Sequence, residues 1–451
     1  MKVLLIVCPP FWPKMPPLGL AYIATFLQSR GYEVIVRDLN ITYYRRMPSA
    51  VQKQWLIAQD VVFQDTFFER YIAKDCDPLV DELSAYRADH IGFSVFRSNR
   101  HTSIMLAQAI KRHNWQTTIV FGGPEIRSHV LSRTGTRPLD ARAYVDYLIS
   151  GEGERAFGDL LQKVNANENP PFLLESMDAE PLDSLPAPTF TEFDLTQYGR
   201  INALPISASR GCIRRCSFCS ERLLSRRFRV RSAEHLIHEI EQHYAERGIT
   251  WFTFHDSLLK GDLTMLQAFC RLIIERSLPI RWEAQCLIRH DMSIELLALM
   301  KEAGCFNLFI GLESGSDVVL RLMNKGFTVA EAKTFLQRCA DTGVHVEVSL
   351  IVGFPGEGEK EFEETCDFLL ANKNIIPKIA QVNPFILLPG TDVERHRTMF
   401  GIPADVRDYY VQAKERMNMM KQFLEDNTFI VTPSFIGNLL YEEDTTLTSY
   451  S

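Results

Sequence analysis

The 451-residue chain contains no apolar run long enough to cross a bilayer as a helix, which takes about 20 such residues, so no membrane span is expected. It has no surplus of positive charge. Its 49 Lys and Arg against 56 Asp and Glu leave a net charge of −7 and a pI near 5.9, which argues against a general nucleic-acid binder. The opening Met1–Cys8 is apolar but lacks a small-residue cleavage site and runs into Pro9-Pro10, so a buried first strand is expected rather than a signal peptide. Cysteine is sparse. Of ten, Cys8, Cys76, Cys270, Cys286, Cys305, Cys339 and Cys366 are scattered, several in apolar or helical stretches. That distribution argues against a disulfide framework and fits small buried hydrophobes in a reduced, cytoplasmic protein.

The other three, Cys212, Cys216 and Cys219, fall within eight residues, with Phe218 before the last. Three thiolates can hold three corners of a [4Fe-4S] cube and leave one iron without a protein ligand. Ordinary electron-transfer clusters use four cysteines, so an open iron points to a site that binds and activates something. Structural zinc is the competing reading, since zinc takes four N/S ligands and His235 and His238 lie downstream. Those histidines, however, belong to an amphipathic helix whose apolar stripe reads Leu236, Ile237, Ile240 and Tyr244, and they fall on or near its polar side. The cluster reading is therefore preferred. Without a second cysteine-rich motif, no auxiliary cluster domain is expected.

The CxxxCxΦC spacing, Φ being an aromatic, resembles the radical SAM enzymes. The resemblance implies a [4Fe-4S] cluster on Cys212, Cys216 and Cys219, whose open iron holds the amino and carboxylate groups of S-adenosylmethionine (SAM). It also implies a reductant of flavodoxin or ferredoxin type, and an oxygen-sensitive cluster suits an anaerobe.

A chain of this length exceeds one core, so two or three domains are expected. In the first third, Lys2–Cys8, Glu33–Asp38, His90–Val95, Thr117–Gly122 and Tyr147–Ser150 read as parallel strands separated by helices. Leu20, Ile23, Ala24 and Leu27 make the i, i+3, i+4, i+7 stripe of the first helix. Such alternation predicts a doubly wound, Rossmann-like sheet that binds ligands at the carboxyl ends of its strands. The loops there contain Pro10, Phe11 and Trp12; Ser94, Phe96, Arg97 and Ser98; Gly122, Gly123 and Pro124; Glu152 and Gly153. Their order resembles a cobalamin-binding domain, which implies these residues as cobalamin contacts. The family's Asp-x-His-x-x-Gly is absent after the first strand, which excludes a histidine ligand from that loop. By analogy with related enzymes, the lower face of cobalt is expected to meet Phe96 or Arg97.

Residues 165–199 are rich in Pro, Asp and Leu and read as a connector. Beyond it, Leu204–Ala208, Thr250–His255, Arg281–Gln285, Phe306–Gly311, His345–Val352 and Ala380–Phe385 read as six further strands alternating with helices, a partial (β/α)6, TIM-like barrel. The cysteine loop follows the first of them. The resemblance implies SAM contacts from Phe218, from His255 and Ser257 after the second strand, and from Gln285 and Arg289 after the third. It adds Glu313 and Ser314 after the fourth and Gly353 after the fifth. A carboxylate such as Glu313 suits paired ribose hydroxyls because it accepts two hydrogen bonds. A helix over Val406–Leu424 carries Met417, Met419 and Met420, expected mainly as core, within a small, mainly helical C-terminal region.

The expected order is a cobalamin-binding domain (1–164), a linker (165–199), a radical SAM core (200–390) and a C-terminal region (391–451). The resemblance implies a cobalamin-dependent radical SAM enzyme, with C-methylation of a small molecule or a peptidyl side chain as the leading activity. Cyclisation, ring rearrangement or oxidation on the same cofactors is the alternative. A corrinoid sensor with zinc on the cysteines is a remote third. Catalytic acids and bases are not assigned.

Overall fold

The computed structural model describes residues 1–55, 61–113, 115–131, 141–176, 181–225, 227–403 and 405–432; the tail 441–451 lies outside them. The chain divides into two compact units, one spanning Met1–Ile201 and the next opening at Asn202.

The first unit holds six parallel strands: β1 (Lys2–Val7), β2 (Glu33–Asp38), β3 (His90–Ser94), β4 (Thr118–Gly122), β5 (Tyr147–Ser150) and β6 (Leu173–Glu175). Their spatial order is β2-β1-β3-β4-β5-β6. Its helices are α1 (Leu18–Ser29), α2 (Leu39–Arg46), α3 (Ser49–Trp55), α4 (Val61–Tyr71), α5 (Cys76–Ser84), α6 (Arg100–Arg112), α7 (Pro124–Leu131) and α8 (Gly153–Asn165). Crossovers keep one hand, so reversing the strand order between β1 and β3 sends helices to opposite faces and opens a crevice at the carboxyl ends of those two strands. The strand residues Val3–Val7 and Ile91–Phe93 are buried, as befits a sheet covered on both sides. The sixth strand was not expected; it lies inside the stretch read as a connector. Described residues further along that stretch also pack on this unit. Leu182 and Leu185 bury against Phe26 of α1, and Tyr198 Oη donates to Asp38 Oδ2 at 2.7 Å.

The second unit contains β7 (Ala203–Ile206), the short antiparallel pair β8 (Ser209–Arg210) and β9 (Arg229–Val230), then β10 (Trp251–Phe254), β11 (Arg281–Cys286), β12 (Cys305–Glu313), β13 (His345–Val352) and β14 (Lys378–Pro384). Its helices are α9 (Glu221–Leu224), α10 (Ala233–Arg247), α11 (Leu263–Glu275), α12 (Ile294–Glu302), α13 (Asp317–Leu322), α14 (Val329–Asp341), α15 (Glu359–Ala371), α16 (Asp392–Arg395) and α17 (Arg407–Asp426). The parallel strands lie in simple sequence order, β7-β10-β11-β12-β13-β14. With crossovers of one hand, that order puts the intervening helices on one face and leaves the other free, as in an open (β/α)6 barrel.

Side-chain alternation follows this division. Phe252, Phe254, Trp282, Ala284, Leu308 and Ile310 are buried, and Phe254 and Trp282 meet Phe269 of α11 edge-on at 5.7 and 5.8 Å. The opposite face of the sheet carries polar side chains on β10, β11, β13 and β14. Thr253 Oγ1 donates to Glu283 Oε1 (2.8 Å), Lys378 Nζ to Glu347 Oε1 (2.9 Å) and Gln381 Nε2 to Ser349 Oγ (3.1 Å). At its amino end Arg281 lies over Trp251 at 4.2 Å and over Phe306 at 5.4 Å. Among the described residues no helix is long and apolar enough to cross a membrane.

Candidate functional site

In the first unit, the loops after β1 and β3 border the switch-point crevice and are fixed by two buried asparagines. Asn99 Nδ2 donates to Cys8 O (3.1 Å) and Ser94 O (3.2 Å), and its Oδ1 accepts from Phe96 N (2.8 Å). Asn40 Oδ1 accepts from Phe11 N and from Trp55 Nε1, both at 2.7 Å. With their backbones so held, Phe11 and Phe96 stack, ring centroids 4.4 Å apart. Of the two residues expected below cobalt, Phe96 is half-buried in this stack and Arg97 is exposed. Pro10 is buried, Trp12 is exposed with Lys14 Nζ 4.9 Å from its ring, and Ser94 and Ser98 are half-buried.

After β4, Gly123 has φ +106°, and a Cβ there would stand 2.6 Å from Val95 O, so the loops of β3 and β4 approach only because this residue has no side chain. Gly122, Pro124, Glu152 and Gly153 stand at the same end of the sheet. Every residue expected to contact cobalamin thus sits at the carboxyl edge of one sheet. Asn40, Asn99 and Trp55 had not been singled out; nothing in the sequence ties them to these loops before the fold is known.

In the second unit, buried charge grips the corner between β7 and the cysteine loop. Asp256, 1% exposed, accepts from Ala208 N (3.0 Å), from Ser209 N and from Ser209 Oγ (2.5 Å). Arg231 donates to Ser207 O (2.9 Å), pairs through one nitrogen with Glu239 Oε2 of α10 (2.6 Å) and donates to His235 Nδ1 (3.1 Å). Helix α10 therefore buries Glu239 and His243 with Leu236, Ile237 and Ile240, whereas Tyr244, expected in that stripe, is 37% exposed. His238 is exposed as expected.

The cysteine loop is tied to distant parts of the barrel. Ser217 N donates to Met323 O (2.9 Å), Ser217 Oγ to Leu322 O (2.9 Å), Asn324 Nδ2 to Arg215 O (2.8 Å) and Val393 N to Ser217 O (3.0 Å). Phe218 lies 6.3 Å from Phe354, edge-on, within an apolar cluster that includes Phe385, Val393 and Ile402.

The three thiols are half-buried and free of disulfides. Burial pushes all three up, Cys219 to about 11. Bound metal must then draw off their protons. The donor set fits thiolates. Arg214 N–H points at Cys212 Sγ (3.4 Å) and Glu221 N–H at Cys219 Sγ (3.5 Å), the kind of amide contact that stabilises cluster sulfurs. Among the described residues, no three His, Cys, Asp or Glu side chains come together as a single-ion site.

At the end of β12, Glu313 takes φ +67°, where a side-chain-bearing residue is strained. Its Oε1 accepts from buried Lys325 Nζ (3.2 Å) and its Oε2 from Ser349 Oγ (3.4 Å). Burial works against the Lys325 charge, but Glu313 and Cys216 hold its ammonium above the ordinary lysine value. Lys325 had not been singled out, and its place between Glu313 and the Phe218 ring, 5.8 Å away, is set by α13 and the turn after it.

The other expected SAM contacts fare differently. Gln285 and His255 present exposed side chains at the carboxyl ends of β11 and β10. Ser257 hydrogen-bonds Glu221, whose carboxyl burial pushes up. Arg289 forks onto Asp291 (Nε to Oδ1, 2.7 Å), which commits part of its guanidinium. The Ser314 hydroxyl is spent on Thr365 (3.1 Å) and Ser316 N (3.1 Å), so only its backbone is left for a ligand. Gly353 N donates to Glu357 Oε1 (2.7 Å), and Tyr409 Oη of α17 donates to Gly353 O (2.7 Å).

Comparison with known proteins gives the same two-part division. Residues 6–161 match the B12 binding domain and residues 206–369 the radical SAM superfamily. An uncharacterized methyltransferase of Pyrococcus horikoshii is 26% identical over 378 residues, 78% of this chain and 72% of that one. An anaerobic magnesium-protoporphyrin IX monomethyl ester cyclase of Rubrivivax gelatinosus is 24% identical over 375 residues, 78% of this chain and 61% of that one. Among solved structures, the radical SAM methyltransferase TsrM of Kitasatospora setae, with tryptophan and a SAM analogue bound, superposes with a TM-score of 0.68 at 19% identity, over 90% of this chain and 77% of that one. The radical SAM domain implies a [4Fe-4S] cluster and SAM, and the B12-binding domain implies cobalamin.

Proposed function

We propose that this chain, which joins a B12-binding domain to a radical SAM domain and so belongs with the cobalamin-dependent radical SAM enzymes, methylates an unactivated carbon of a small molecule or of a peptidyl side chain. When bound, cluster and SAM would supply radical chemistry at an unactivated carbon, and SAM together with cobalamin would supply the methyl group.

The chain's own residues place and shield those groups. Cys212, Cys216 and Cys219 hold the cluster, and Asp256 and Arg231 keep the loop that carries them in register. Glu313, set by Lys325 and Ser349, accepts the ribose hydroxyls, and Gln285, His255, the Ser314 backbone and the Gly353 loop complete the SAM site. The Phe11–Phe96 stack presents hydrocarbon at the carboxyl ends of β1 and β3, where no side chain of that pair could ligate cobalt. The observation offered for methylation is this histidine-free aromatic pair, which would give a cobalamin bound at these loops hydrocarbon rather than a ligating side chain. Likeness to a methyltransferase points the same way. The cytoplasm is the proposed compartment.

Anaerobic reconstitution with iron, sulfide and hydroxocobalamin, then reduction with methyl-labelled SAM, tests the reading. Both 5′-deoxyadenosine and S-adenosylhomocysteine are expected, with label in product. Similarity to a cyclase favours a second reading, cyclisation or oxidation without methyl transfer. Under it, 5′-deoxyadenosine forms and label never reaches product.

A further inference from the structure

Residues 181–200 run back over the first unit, beyond the segment that matches the B12 binding domain, which ends at residue 161. They are fastened along α1, where Leu182 and Leu185 bury against Phe26 and Thr189 N donates to Thr25 Oγ1 (3.1 Å). Their last residues reach the loop after β1. Arg200 N donates to Lys14 O (3.2 Å), just past Pro10, Phe11 and Trp12. Tyr198, 5% exposed, donates through Oη to Asp38 Oδ2, on a residue 160 positions earlier.

Asp38 serves two partners. Its Oδ1 accepts from Ile41 N (2.8 Å) and so caps α2, whose second residue is Asn40. Asn40 Oδ1 in turn accepts from Phe11 N, while its buried Nδ2 has no partner among the described residues. The hold on Phe11 therefore follows where the first turn of α2 sits. The carboxylate that sets this turn has one oxygen on the helix and the other on Tyr198. Burial pushes Asp38 up to about 6, so at pH 8 it is an anion and a strong acceptor.

We propose that Tyr198 is a positioning residue for cobalamin: through Asp38 and Asn40 it fixes Phe11, and with the Arg200 amide it braces the loop after β1 from both ends. The inference rests on the cobalamin contacts given above to Pro10, Phe11 and Trp12. A loop already held in its binding geometry need not be ordered by the ligand, and that saving appears as affinity.

The test uses the full chain at pH 8. Amide exchange of the cobalamin-free protein, read by mass spectrometry, follows the loop directly. Tyr198→Phe removes a single oxygen. It is expected to speed exchange about tenfold in peptides covering Phe11–Lys14 and to weaken hydroxocobalamin binding about tenfold, as loss of a hydrogen bond to a charged group does. Asp38→Asn should act likewise, and the double variant should be no worse than Asp38→Asn alone, because both lie on one path. Gln197→Ala, next to Tyr198 but with its side chain on Asp194, should leave both readouts at wild type. Loop exchange and cobalamin affinity unchanged in Tyr198→Phe overturn the proposal. So does faster exchange spread evenly over the first unit, which would make Tyr198 a brace of the fold alone. So does strict additivity in the double variant. A wild-type protein that retains no hydroxocobalamin removes the placement of cobalamin at these loops, and this role with it.

Discussion

Asp256 accepts hydrogen bonds from two successive amides and a hydroxyl, all within the corner that leads to Cys212. Removing it strands those donors in a buried site. Asp256→Ala should cost about 3 kcal/mol in urea unfolding and lower the iron bound per chain; a variant of unchanged stability and iron content would deny it that positioning role. Glu357 allows a test of sign. Burial pushes its carboxyl up to about 7, above the usual 4.5, although Gly353 N–H and Arg416 oppose the shift. The folded state then holds more protons than the unfolded chain between those values, so this group's contribution to stability falls as pH rises from 4.5 to 7. Glu357→Gln keeps the acceptor for Gly353 but not the titration. Its stability relative to wild type should improve from pH 5.5 to pH 8, and a pH-independent difference would contradict the assignment. Such residues were the least legible beforehand. Asn40, Asn99, Asp256 and Lys325 look like ordinary surface polars until the fold brings their partners to them, 12 positions away for Lys325 and 91 for Asn99 with Cys8.

Whole elements were easier to read. The strands β2, β5 and β13 begin and end where alternation and turn residues place them, and the other expected strands differ by one or a few residues at their ends. The exceptions are β6, three residues long, and the two-residue strands β8 and β9, all too short for any periodicity to register. In α10 the helical period puts both His243 and Tyr244 near the buried face; His243 turns in, 4.0 Å from the Glu239 that pairs with Arg231. Helix α17 runs Arg407–Asp426, with Met417 and Met420 buried and Met419 exposed. Its contact with the fifth strand's loop is close enough to be tested. Gly353 has φ +68°, and a Cβ there would lie 2.6 Å from Ala413 Cα. Gly353→Ala should therefore cost about 2 kcal/mol or more from backbone strain and overpacking combined. In the proposed site it should also raise the KM for SAM. A fully stable variant with an unaltered KM would show that α17 yields easily.

At the scale of the molecule, the two units carry separate cores and opposite sheet logic, one reversed at a switch point and one strictly sequential. Cofactor loading should separate along the same line. With Cys212, Cys216 and Cys219 all changed to Ala, iron uptake and SAM cleavage should vanish while hydroxocobalamin is retained through gel filtration. Loss of cobalamin from that variant would show that the first unit depends on the cluster.

The fastening of the cysteine loop also bears on how the protein is made. Cys219 leaves the ribosome long before Met323, Asn324 and Val393, the residues to which its loop is tied. At roughly 5–20 residues per second, the interval to Val393 lasts on the order of 10–35 s. Throughout it the three thiols ride on an unanchored nascent segment, open to oxidation and to stray metal. If the proposed cluster is held there, its three ligands reach their anchored geometry only once Val393 has been made.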